Sequence, residues 1–205
     1  MSCAADHRDA QPDDTDGESL FRFVDTSGVR CMNERVAGSC RNCIRPFANK
    51  QDAEPFMESN DDDPELILFI PFTEVVKIKS FALVGGAGGA SPSNVKLFVN
   101  RDDVDFSSAA DMPAAQDVEL LEDLEAQHAA DYPLKQHKFN GVESVTVFVA
   151  DSFGGDASRI SFLGFKGSGT GINYRDQVEV VYEARAQLKD HKTPAAEQGA
   201  SNFLS

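Results

Sequence analysis

Residues 59–84 read SNDDDPELILFIPFTEVVKIKSFALV, and this stretch constrains the fold more than any other. Its apolar run, Leu66-Ile67-Leu68-Phe69-Ile70-Pro71-Phe72, is rich in branched and aromatic side chains and reads as a buried strand. Pro71 excludes a helix, since its ring removes a helical hydrogen bond and collides with the preceding turn. A second apolar segment, residues 75–84, carries Lys77 and Lys79 at period two. Alternation places Val76, Ile78 and Ser80 on one face and Lys77, Lys79 and Phe81 on the other. The expectation is two adjacent core strands joined by Phe72-Thr73-Glu74 at the middle of a β-sandwich, with Phe69 and Phe72 as structural aromatics.

The remaining chain supplies the partners such strands need. Residues 20–24 (LFRFV) form the first strand candidate, and Asp25-Thr26-Ser27-Gly28 has turn chemistry. Residues 29–34 read as a short extended piece, and residues 35–58, with Pro46 and Pro55, as a long ordered loop. Further strands are read at 95–100 (VKLFVN), near 117–121, at 134–139, 143–150 (ESVTVFVA), 159–166 (RISFLGFK) and 177–182 (QVEVVY). Val104-Asp105-Phe106 reads as extended, Asn140-Gly141 as a hairpin turn, Gly164 as a bulge and Gly167 to Gly171 as a loop. Short strands separated by turns, with no long helix, give an all-β jelly-roll sandwich. One domain over 19–184 is expected, with a disordered acidic arm over 1–18 and a flexible tail over 185–205.

Charge narrows the function. The 205 residues carry a formal net charge of -15. A phosphate backbone requires a basic footprint, so nucleic acid and anionic membranes are excluded as expected partners. No apolar run approaches the roughly 20 residues of a membrane span, and residues 1–14 lack the apolar core of a signal peptide. A cytoplasmic or nuclear address and reduced thiols are therefore expected.

Several stretches together resemble the PITH domain, the proteasome-interacting domain of thioredoxin-like proteins. They are Cys31-Met32-Asn33-Glu34, the acidic lead-in 58–67 (ESNDDDPELI), Ile70-Pro71-Phe72 with Val76-Lys77-Ile78-Lys79, and 91–100 (SPSNVKLFVN). Val104-Asp105-Phe106, Lys138-Phe139, Asn140, Val142 and 160–164 (ISFLG) also fit. The resemblance extends from about residue 20 to the end and includes no thioredoxin half, so the chain looks like the stand-alone type. It implies a galactose-binding-like jelly roll, no catalytic residues, no cofactor, and docking to the regulatory particle of the 26S proteasome. A monomer is expected.

Other constellations compete with this reading. Cys40-Arg41-Asn42-Cys43 has the spacing of a redox pair or half a zinc site. The next residues, Ile44-Arg45-Pro46, offer no following helix to activate a thiol. Completing a zinc site would need ligands such as Cys31, Cys3 or His7, so incidental loop thiols are the stronger reading. Asp61, Asp62 and Asp63 could hold calcium, but Pro64 breaks the EF-hand spacing, which leaves a solvated turn or a docking patch. The glycines of 85–89 lead into a strand rather than a helix and make a poor phosphate loop. The four histidines, His7, His128, His137 and His191, accompany no nucleophile motif.

Two functions remain. The first is a non-enzymatic interaction module; the alternative is a small-ligand or carbohydrate-binding jelly roll, for which Tyr132 and Tyr174 are the loop tyrosines. A metal-dependent or thiol enzyme is a distant third. For docking, the expected partner-binding residues are Asp61, Asp62 and Asp63, with His191, Lys192, Phe203 and Leu204 of the tail. The acids would steer a basic partner and the apolar tip would order on binding.

Overall fold

In the computed structural model, residues 17–122 and 130–172 are described. The strands are β1 (Glu18–Ser19), β2 (Arg30–Met32), β3 (Met57–Glu58), β4 (Leu66–Gly85), β5 (Pro92–Val99), β6 (Gln116–Glu119), β7 (Ala130–Pro133), β8 (Asn140–Ser152) and β9 (Arg159–Gly169). Two single-turn helices, α1 (Cys40–Cys43) and α2 (Phe106–Ala109), interrupt them. The strands make a hydrogen-bonded network in the order β1-β9-β4-β8-β5-β6, with β2 and β7 also on β4 and β3 on β9.

The 20-residue β4 is the axis of this network, a single strand where two were expected. Its first half lies between β2 and β8, with Arg30 opposite Phe69 and Leu66 to Pro71 opposite Val149 to Ser144. Its second half lies between β9 and β7, with Phe81 opposite both Phe165 and Tyr132. Between the halves the register on β8 jumps, from Pro71 opposite Ser144 to Val76 opposite Val142. The intervening backbone takes other partners. The Asp25 N–H donates to Pro71 O (2.9 Å) and the Val75 N–H to Ile172 O (2.9 Å). The residues read as a connection are thus a bend inside one strand, which carries the chain from one layer of the sandwich into the other.

The space between the layers is filled by one large cluster. Leu66, Leu68, Ile70, Val95, Leu97, Val145 and Val147 come from one layer; Ile78, Phe81, Leu83, Leu163 and Phe165 come from the other. Smaller clusters cover the outer faces. Ile67, Phe98 and Phe148 pack with Val104 and Ala109 of the 100–115 excursion. Ala82, Val84 and Phe162 pack beneath Phe47.

Register irregularities account for the errors of face. Ile78 sits opposite Gly167 and Ser80 opposite Lys166, so Lys79 is an extra residue on β4. Past this bulge the alternation reverses, and Phe81 joins Ile78 in the core instead of Lys79 on the surface. Gly164 pairs regularly with Ala82 and makes no bulge. A Cβ there would come within 2.7 Å of the Phe162 ring and 2.8 Å of the Phe47 ring, so the glycine makes room for an edge-on aromatic pair with centroids 5.1 Å apart.

Other expectations are corrected by local chemistry. Residues 20–23 form a 3-10 turn, which buries Leu20 and leaves Arg22 in solvent; a strand would have put both on one face. Phe106 opens α2 rather than continuing an extended segment. The Asp105 carboxylate accepts from the Ser108 N–H (2.8 Å) and Ser108 Oγ accepts from the Asp105 N–H (3.3 Å), a reciprocal cap. Residues 134–139 are a turn, because Leu134 and Phe139 both enter the core and alternation cannot place residues five apart on one face. The hairpin expected at Asn140-Gly141 is instead the start of β8, and Gly167 to Gly169 belong to β9. The strand read at 177–182 lies outside the described residues.

Phe69 also departs from expectation. It is only half-buried, with the Arg30 guanidinium 4.0 Å from its ring centroid, whereas Phe72 is buried 6.0 Å from Phe165. Fully buried Phe81 is expected to cost about 3–5 kcal/mol on truncation to alanine. Phe69→Ala is expected to cost well under half of that. Chemical denaturation of the two variants measures the difference, and equal losses would contradict the two-layer register.

Candidate functional site

The Cys31-Met32-Asn33-Glu34 stretch organises one end of the molecule. Cys31 pairs with Leu68 on β4, and Met32, paired with Ile67, remains 41% exposed. Asn33 follows in a left-handed conformation, φ 70°, which asparagine tolerates better than most residues. Its side-chain amide donates to Glu65 O (2.7 Å) and Asp63 O (3.4 Å), and its carbonyl accepts from Asn60 Nδ2 (2.7 Å). The Glu34 carboxylate accepts from the N–H groups of Gly38 (2.6 Å) and Cys40 (2.8 Å), supplying the partners that open α1.

These contacts hold the acidic turn. Asp61 and Asp62 are exposed, and Asp62 is left-handed at φ 61°. Asp63 accepts from the Glu65 N–H (3.2 Å), and burial together with Asp63 raises the Glu65 carboxyl above its ordinary value. Asp61 pairs with Arg35, which also reaches Glu58 (2.7 Å), and Glu58 in turn accepts from Arg159 (2.9 Å). One of the three aspartates is therefore partly neutralised in place.

Sequence reasoning missed a larger acidic surface. Two grooves of about 380 and 280 Å³ adjoin across Phe69 and Asp102 on the outer face of the first layer. The carboxylates of Asp25, Asp102, Asp103, Asp105 and Glu143 line them. The hydrogen bond from Arg101 holds Asp103 below the usual carboxylate range, and those from Ser107 and Ser108 do the same for Asp105. The floor includes Met32 and the half-exposed Phe69. Cys31, Met32, Pro71, Phe72, Asn100, Val104 and Asp105, scattered in the sequence, converge here. All of them fall within stretches that carry the family resemblance, which was the available signal, but each piece by itself read as strand or turn. His191, Lys192, Phe203 and Leu204 lie outside the described residues, as do Cys3, His7, His128 and Tyr174.

The cysteine pair is core rather than loop. Cys40 and Cys43 form the single turn of α1, and both are buried. Burial, with Glu34 adding its negative charge, pushes the Cys40 thiol up to about 12. Burial likewise raises Cys43 and, with neighbouring Cys40 and Glu34, Cys31. A reactive thiol needs the opposite environment. Among the described residues no group of three or more His, Cys, Asp or Glu could hold a metal ion. Tyr132 is on β7 rather than in a loop, stacked on Phe81 at 5.1 Å between centroids, with its hydroxyl accepting from the Leu121 N–H (2.9 Å). One ring face and the polar tip are thus already engaged.

Comparison with known proteins shows the family and the fold. The PITH domain profile matches residues 10–186. The chain is 38% identical over 187 residues to PITH domain-containing protein 1 of Dictyostelium discoideum, covering 91% of this chain and 90% of that protein. It is 28% identical to the Homo sapiens protein of the same name, covering 93% and 88%. Among solved structures, the CBM32-1 and CBM32-2 domains of Clostridium perfringens ZmpB, in complex with GalNAc, superpose with a TM-score of 0.53 at 10% identity, covering 72% of this chain and 35% of that one. The F-lectin of striped bass (Morone saxatilis) serum gives 0.52 at 11%, covering 76% and 51%. At these identities the likeness is one of fold, and it identifies the sandwich as a galactose-binding-like jelly roll.

The thiols give a test by pH. A folded-state value raised above the ordinary 9.0 means that the native state keeps its proton where the unfolded chain has lost it. Stability from Cys40 is present below about pH 9 and is lost as pH rises toward about 12. Cys40→Ala is therefore expected to flatten the fall of unfolding free energy across this range. Identical slopes for the two proteins would show that the thiol ionises freely in the fold.

Proposed function

We propose a non-catalytic protein-docking role from one premise: the chain belongs to the PITH domain family. The partner we infer is the regulatory particle of the 26S proteasome, the assembly that the family resemblance implies. The observation carrying the reading is the grooved face around Phe69. Exposed Met32 and the uncovered edge of half-buried Phe69 offer apolar contact area in a concavity. Five carboxylates line it against one lining cation, Arg30, which stacks on the Phe69 ring, and Arg101 pairs with Asp103. Apolar anchors inside a polar rim are the anatomy of a protein interface. The sign of the rim favours a basic partner surface and a docking rate that falls with salt. The Asp61–Asp63 turn, held through Asn33 next to Met32, is a second acidic element available to the same partner.

Rigidity supports the same role. The groove floor is β2 and β4, and its rim is fixed by the reciprocal cap of α2 and by Asn100. The Asn100 side chain accepts from the Glu143 N–H (2.8 Å) and donates to Gly141 O (3.1 Å). Such a surface loses little conformational freedom when it binds.

The test is capture of identified regulatory-particle subunits from lysate by the tagged full chain, at low and high salt. Asp102→Asn with Glu143→Gln, and separately Met32→Ser, are expected to reduce capture several-fold at low salt while leaving the melting temperature unchanged. Asp61, Asp62 and Asp63 changed together to Asn, and deletion of residues 186–205, test the two elements added by the sequence reading. Undiminished capture by all four folded variants would move the docking surface elsewhere. No capture by the parent chain would remove the proteasome as partner.

A further inference from the structure

Past the bend of β4, cationic groups gather on a chain that is otherwise anionic. The whole sequence has 34 acidic residues against 19 lysines and arginines. Yet a groove of about 340 Å³ is walled by Lys77, Lys79, Gln136, His137, Asn140 and Ser168, all exposed, with no carboxylate among its lining residues. Ile78 and Phe139, both buried, form its floor. Lys135 and Lys138, on the same turn as His137, are also exposed. Among the described residues, Lys77, Lys79 and His137 have no acidic partner.

The fold holds these groups together. The Ile78 N–H donates to Phe139 O (3.0 Å) and the Leu134 N–H to Lys79 O (2.8 Å), so the 134–139 turn is bound directly to β4. Lys79 is the extra residue of the β-bulge, a device that re-aims a side chain and recurs beside functional sites. Lys77 lies opposite Asn140 on one side and Ser168 on the other. No sheet edge is therefore open at this point, and recognition must come from side chains rather than from an added strand.

We propose that this groove binds a short carboxylate-rich segment of a partner protein. Its wall presents hydrogen-bond donors and positive charge, the complement of aspartate and glutamate side chains. The cations are lysines, beside a histidine that can donate a hydrogen bond and with no arginine fork, so the groove sums charge instead of reading the bidentate geometry of a phosphate. Its volume takes a few side chains. A long polyanion would run from the groove onto a surface whose net charge repels it, which selects a short segment. This site is separate from the acidic face around Phe69 and does not depend on it.

The experiment uses the full chain and a fluorescein-labelled octaglutamate peptide. Anisotropy is expected to show saturable binding that weakens with salt, and Lys77→Gln with Lys79→Gln to weaken it by about tenfold. Amide shifts of the unmodified protein on titration with the peptide are expected to centre on residues 77–79, 136–140 and 168. They report the site even if the double variant is unstable. No saturable binding, or shifts centred elsewhere, would overturn the proposal. Tighter binding of a single-stranded oligonucleotide or of inorganic phosphate than of the peptide would overturn the ligand class. Loss of proteasome capture in the acidic-face variants, with peptide binding intact, separates the two surfaces.

Discussion

The bend within β4 is the constraint on which the rest depends. A β-sandwich needs its two layers held in register, and most chains achieve this with loops that cross from one layer to the other. Here a single strand makes the crossing, at the point where Pro71 withholds a backbone donor and Val76 resumes pairing with β8. The displaced backbone groups are satisfied by Asp25 on one side and by Thr170 and Ile172 on the other. Because both layers grow from this strand, the relative placement of β8 and β9 follows from one covalent segment.

The same geometry sorts charge. The half of β4 before the bend looks out onto the carboxylates of the 100–105 and 143 segments; the half after it carries Lys77 and Lys79. A net charge of -15 conceals this division, since it says nothing about where the 19 basic residues lie. Arg35 and Arg159 are drawn into the network around Glu58, and Lys166 into an ion pair with Asp131 (2.5 Å), so much of the positive charge serves the fold. The lysines left around residues 77–79 thereby become distinctive.

The sequence revealed the strand-forming segments and the family better than it revealed the faces of those strands. Apolar runs at 66–72, 95–99, 143–150 and 159–166 are strands in the structure because each buries branched side chains on at least one face. Faces failed after Lys79, where one unpaired residue inverts all later alternation and leaves no mark in composition. Turns failed where two apolar residues needed the same side of the chain, as with Leu134 and Phe139. The Asp61–Asp63 turn was legible as an acidic surface, since three adjacent carboxylates have few other uses. The groove around Phe69 was not, since Asp25, Asp102, Asp105 and Glu143 meet only once β2, β4 and β8 are side by side.

The clasp at Asn33 has a consequence for how the segment behind it can change. Asn33 grips Asp63 and Glu65, Glu34 bridges to Ser59, and the Arg35 N–H donates to Glu58 O (2.9 Å), so the intervening residues form a lobe pinched shut at its neck. Inside the lobe, Cys40, Cys43, Ile44 and Met57 are fastened to the core, whereas residues 51–55 are exposed. Closing such a lobe costs an entropy that grows only with the logarithm of its length. Its outer arc can therefore lengthen or shorten over evolutionary time while the neck keeps β2 and β4 in step. The Arg45 guanidinium ties the arc to β9, donating to the carbonyls of Asp52, Glu54 and Ser161, so added length is accommodated where it leaves these contacts in place, away from either charged groove.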